Sequence, residues 1–122
     1  MKPSHFLIAA VVLALGARAA GADSGDAVAG EKLFATCAAC HAPGPGRTGP
    51  DLHGVVGRPA GTLAGFRFSR AMKNARRVWS EATLDAYLAE PQAVLPGNAM
   101  PFPGLPDHTQ RRDLIAYLKT LK

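Results

Sequence analysis

Cysteine is scarce in this chain: two in 122 residues, Cys37 and Cys40. A disulfide framework is thereby excluded, and a zinc site would have to recruit His53 and His108, which lack zinc-finger spacing. Long apolar runs are also missing. The stretch from Phe6 to Gly16 holds eleven residues, too few to cross a bilayer. No segment alternates apolar and polar residues convincingly, so a β-rich fold is not expected. Acids are few, nine against fourteen Lys and Arg, for a net charge of +5. The arginines are scattered and no zinc-finger or RNA-binding motif accompanies them, so no nucleic-acid partner is expected.

What is present begins with an address. Lys2 and His5 precede the apolar run and small residues come after it, the layout of a signal peptide. Cleavage after Ala19 or Ala22 satisfies the small-x-small rule, and Ala22 leaves Asp23 as a polar start. The expected organisation is a signal peptide over 1–22 and a single domain over 23–122, delivered to the periplasm; an uncleaved anchor is the alternative. Losing Lys2 and Arg18, with no acid lost, lowers the formal charge from +5 to +3. That mild excess favours an acidic protein partner. A domain this small buries a modest core, and 13 Gly and 10 Pro in the chain do not help it. A large apolar cofactor at its centre would.

Cys37-Ala38-Ala39-Cys40-His41 supplies the attachment point. Two thiols three apart with a histidine directly after them read as a c-type haem site. The thiols add across the haem vinyl groups as thioethers, and the imidazole takes one axial position on iron. On a helix all three lie on one side, because Cys37 and Cys40 are about a turn apart and His41 is four beyond Cys37. A thioredoxin-like dithiol would need a strand leading into the helix, and none precedes it.

Around this motif the pattern is helical. Gly30, Leu33, Phe34 and Cys37 recur at helical spacing after the cap residue Asp26. Gly30 is costly inside a helix, which predicts close crossing by another helix. Residues 42–65 are rich in Gly and Pro and form no regular element, with Leu52, Val55 and Val56 as apolar anchors. Ser69 caps a short helix that includes Met72. Ser80 caps a clearer one carrying Leu84, Tyr87 and Leu88, with Trp79 and Leu84 as a hydrophobic staple and Pro91 as its stop. The last helix runs from about Asp107 to Leu121, with Asp107 and Gln110 as a capping box and Leu114, Tyr117, Leu118 and Leu121 on one face. It is the expected partner of Gly30.

Met100 sits between Pro96-Gly97 and Pro101-Phe102-Pro103-Gly104, a stiffened loop suited to holding a weak thioether ligand. Phe102 would keep water from the haem edge. His53, His108 and Met72 remain rival ligands. A thioether paired with histidine raises the potential of iron relative to two histidines.

Together the blocks resemble class I cytochrome c, close to the mitochondrial cytochrome c and bacterial cytochrome c2 branch. They are Gly30-Glu-Lys-Leu-Phe34, the Cys37–His41 motif, Thr48-Gly-Pro50-Asp-Leu52-His-Gly54, Gly57-Arg58, Trp79, Thr83-Leu84, Tyr87-Leu88, Glu90-Pro91, Pro96-Gly97-x-x-Met100, Phe102-x-Gly104 and Asp113-Leu-Ile-Ala-Tyr-Leu-Lys119. The resemblance implies an all-α fold wrapped around one covalent haem c, with the first and last helices crossing. It implies His41 and Met100 as axial ligands and the Pro50 carbonyl as acceptor for His41. Arg58 and Trp79 would lie near a haem propionate, and Tyr87 would hydrogen-bond towards Met100. Phe68 and Met72 depart from the tyrosine and asparagine often found there. The implied activity is that of a soluble, monomeric one-electron carrier, not an enzyme. It would meet transient acidic redox partners such as an oxidase, a bc1-type complex, a reaction centre or a dehydrogenase. Alternatives are a haem enzyme or gas binder with an open sixth site, and an acceptor subunit dedicated to one dehydrogenase.

Overall fold

The computed structural model describes residues 24–122, which form five α-helices joined by long loops: α1 Ala27–His41, α2 Arg70–Lys73, α3 Glu81–Ala89, α4 Pro91–Val94 and α5 His108–Leu118. The expected signal peptide and its cleavage points fall outside these residues. Among the described residues no helix is long and apolar enough to cross a membrane.

The helix starts are set by the caps. Asp26 accepts from the amides of Val28 and Ala29 at the start of α1. Its own amide donates to Asp113 of α5 at 2.7 Å, which ties the two helices at the point where one begins. Ser80 and Thr83 exchange hydrogen bonds in a full capping box on α3. Asp107 accepts from the amide of Gln110 and opens α5. Pro91 does end α3, and it then starts α4 as an N1 residue, where its missing N–H costs nothing.

Gly30 settles how α1 and α5 pack. A methyl group there would lie 2.0 Å from the Asp113 carbonyl oxygen and 2.8 Å from the Tyr117 Cβ. Only hydrogen fits, so the helices cross at backbone contact, and Phe34 stacks on Tyr117 with ring centres 5.1 Å apart. The other face of α5 lies against α3, where Arg111 Nε donates to Asp85 at 2.8 Å and Lys119 pairs with Glu81. Leu84, Tyr87 and Leu88 of α3 and Leu114, Ile115 and Leu118 of α5 join Val55, Trp79 and Leu95 in the core. α5 ends at Leu118, short of the expected Leu121. The Thr120 hydroxyl bonds back to the Tyr117 carbonyl at 2.6 Å and the chain tightens into turns.

Residues 42–65 hold no helix, as expected, but they are not unpaired. Gly57 N donates to Trp79 O, Trp79 N to Arg58 O and Ala60 N to Arg77 O, around an isolated antiparallel bridge between Pro59 and Val78. Three residues on each side are too short for a strand period to show in the sequence. This ribbon sets Trp79 against Tyr87, ring centres 5.0 Å apart.

Candidate functional site

Cys37 and Cys40 lie in the last turns of α1, half-buried and unbonded to each other. Burial is the chief reason the Cys37 thiol titrates above its ordinary range. His41 is the final residue of the helix, and the returning loop holds it in place. The Ala42 amide closes onto Ala38 O, and the Gly49 amide returns to Cys40 O at 3.0 Å. This brings the Pro50 carbonyl to 2.7 Å from His41 Nδ1. A carbonyl only accepts, so Nδ1 carries the proton and Nε2 keeps a lone pair free for a metal. Gly49 makes room for the ring: a Cβ there would sit 2.7 Å from His41 Cε1.

Met100 is tied from three directions. Its amide donates to Asn98 Oδ1 at 2.9 Å, its carbonyl accepts from Gln92 Nε2 at 3.3 Å, and its sulfur accepts from the Tyr87 hydroxyl at 4.0 Å. Asn98 is the buried polar node of this loop, 7% exposed, and its amide nitrogen donates to Pro91 O and Leu95 O, each at 2.9 Å. Gln92 also reaches Asn98 O. Sequence reasoning missed both amides. The one available signal is an Asn two residues before the methionine, the spacing of an Asx turn. Burial pushes the Tyr87 phenol up to about 12, partly offset by the positive charge of Arg77.

The remaining predicted residues divide clearly. Arg58 donates to His53 O and Asp51 O, bracing the loop beyond Pro50, and burial lowers its pKa while Asp51 opposes that. Trp79 is buried against Tyr87, and Phe102 is half-buried in the methionine loop. The rival histidines are engaged elsewhere: His53 Nδ1 meets Asp51 at 2.7 Å, and His108 stands beside Asp85 and Arg111. Met72, like Met100, is a partly buried residue packed against the core. Among the described residues, no three His, Cys, Asp or Glu side chains gather in one group. Open clefts of 390 Å³ beside Glu81, Asp85 and His108, and of 290 Å³ beside Lys73, Arg76 and Arg77, include neither the cysteines, His41 nor Met100.

The donor set fits haem c: two unpaired thiols, an imidazole whose tautomer is fixed, a tethered thioether, and one buried nitrogen, Arg77 Nε, that lacks any partner. Fold and site thus define a helical protein that carries covalent haem. The cytochrome c family model matches residues 27–122. Cytochrome c2 of Rhodoblastus acidophilus is 47% identical over 102 residues, covering 81% of this chain and 95% of that protein. Cytochrome c of Chlamydomonas reinhardtii is 49% identical over 104 residues, covering 82% of this chain and 93% of that protein. Among solved structures, cytochrome cH from Methylobacterium extorquens matches with a TM-score of 0.76 at 48% identity, covering 79% of this chain and 99% of that one. The chain belongs to the cytochrome c family, in class I, and holds haem c through its Cys-x-x-Cys-His motif. Members of this family are electron-transfer proteins.

Proposed function

We propose that the chain is a soluble, periplasmic one-electron carrier in which His41 and Met100 would hold the haem iron. Haem c supplies a reversible Fe(III)/Fe(II) couple. The chain's part is to hold the ligands still. The Pro50 carbonyl keeps His41 in the tautomer with Nε2 available and raises its basicity. Tyr87, Asn98 and Gln92 keep Met100 from drifting, and this triple tether is the observation that carries the reading. A methionine held this firmly favours a filled sixth position, hence electron exchange over chemistry on a bound ligand. Exchange takes place at the edge near Cys37 and Phe102, in small transient contacts with acidic docking surfaces, and a monomer suffices.

The test is Met100→Ala in the exported holoprotein. Wild type should be low-spin in both oxidation states and should refuse carbon monoxide when reduced. The variant should bind carbon monoxide readily and lose the higher potential that His/Met ligation confers. An unchanged spectrum in the variant would transfer the ligand role to Met72, the rival that also packs against the core. Wild-type protein that takes up carbon monoxide at once would favour the open-site reading.

A further inference from the structure

The ribbon that seats Trp79 also aims an arginine. Along an extended segment successive side chains point to opposite faces. Val78 faces out, 50% exposed, and Trp79 faces in, 6% exposed, so Arg77 shares the inward side with Trp79. The backbone enters this segment through Arg76 at φ +50°, a left-handed conformation that arginine rarely adopts. Its neighbours hold it there, since Ala60 N bonds Arg77 O at 2.8 Å immediately afterwards.

Arg77 Nε is out of contact with solvent and has no hydrogen-bond partner. The residue as a whole is only half-buried and also lines the outer cleft. A buried N–H without a partner is nonetheless costly, and folded proteins supply it with an acceptor. The chain does not. Asp51 is taken by His53, Asp85 by Arg111, Glu81 by Lys119 and Asp113 by the Asp26 amide. Phe66 and Phe68 pack edge to face and carry no polar atom. Arg58 spends its guanidinium on the carbonyls of His53 and Asp51. Nothing in the polypeptide accepts from this nitrogen, and haem c would bring two propionate carboxylates.

We propose that Arg77 donates through Nε to a haem propionate and holds it as a charge-assisted pair beside Trp79. The proposal rests on haem c attachment and is independent of which residue fills the sixth position. A guanidinium suits this task because its charge is permanent and its N–H groups form a fixed fork. The same chemistry could serve a free anion in the outer cleft with Lys73 and Arg76. The inward position of the unpaired Nε favours the propionate.

The experiment measures midpoint potentials of purified holoprotein for wild type, Arg77→Gln and Arg77→Lys, each without phosphate and with added inorganic phosphate. Removing a positive charge near the iron favours the ferric form. Arg77→Gln should shift the equilibrium about tenfold towards Fe(III), a potential lower by about 59 mV, with the low-spin spectrum unaltered. Arg77→Lys should recover most of that shift, and wild type should ignore phosphate. Redox-difference infrared spectra with isotope-labelled propionates should show a displaced carboxylate band in Arg77→Lys. A wild-type potential in Arg77→Gln overturns the proposal. So does a wild-type potential that varies with phosphate, which places the guanidinium in the outer cleft, or an undisplaced propionate band in Arg77→Lys. If Arg77→Gln yields no holoprotein, the phosphate titration and the lysine variant decide alone. A change of spin state, in contrast, would strike the axial-ligand reading and leave this one standing.

Discussion

The regions around His41 and Met100 are built by opposite means. The His41 side is one continuous piece of chain, in which helix α1 delivers Cys37, Cys40 and His41 and the returning loop brings Gly49 and Pro50 back onto the ring. Its fixing groups are backbone carbonyls and a missing side chain. The Met100 side is an assembly from α3, α4 and the loop after it, and its fixing groups are the side chains of Tyr87, Gln92 and Asn98. Backbone geometry defines the first, and tertiary packing defines the second. A substitution in the first should therefore act by collision, and in the second by leaving polar groups unpaired.

The largest effect should come from removing the covalent link that only the first region owns. Cys37→Ser with Cys40→Ser should lose all haem on denaturing extraction, and pigment that stays with the chain would contradict the thioether assignment. Next, Gly49→Ala should drive a methyl into the His41 imidazole and destabilise the holoprotein by about 3 kcal/mol in denaturant titration. A perturbed ferric spectrum should accompany it. Asn98→Ala leaves the Met100 amide without its acceptor and takes from Pro91 O and Leu95 O one of the two donors each has, and should cost about 2 kcal/mol while loosening the methionine. Equal spectral effects from these two would erase the distinction between the regions. The smallest effect belongs to Asp51, whose carboxyl is held below the usual carboxylate range chiefly by the His53 amide and then by its ring. A depressed folded pKa means stability present above the unfolded value and lost as pH falls through the folded one. Asp51→Asn should accordingly flatten the acid limb of the unfolding curve slightly and leave neutral pH almost unchanged, because the pair is exposed.

Helices α1, α3 and α5 were readable because each carries its own punctuation, Asp26, Ser80 and Asp107 as caps and apolar residues at helical spacing after them; α4 was not, since Pro91 reads only as the end of α3 and no side chain caps the turn it starts. Gly30 was readable for the same reason, as a costly residue in a helix that needs a close partner. The end of α5 and the Pro59–Val78 bridge were not, since a threonine hydroxyl and three paired residues leave no periodic trace. Nor were Asn98, Gln92 and Arg77, whose roles depend on what surrounds them.

The sequence by itself determined the haem chemistry, because attachment needs two thiols and an imidazole at helical spacing, and adjacent residues define that completely. It also determined the crossing of the first and last helices, through one glycine that has no side chain to place between them. Only the tertiary structure decided which amides clasp Met100 and which arginine faces inward unpaired. An amide or guanidinium reads identically in a sequence whether water or the protein interior surrounds it, and burial alone turns it into a constraint.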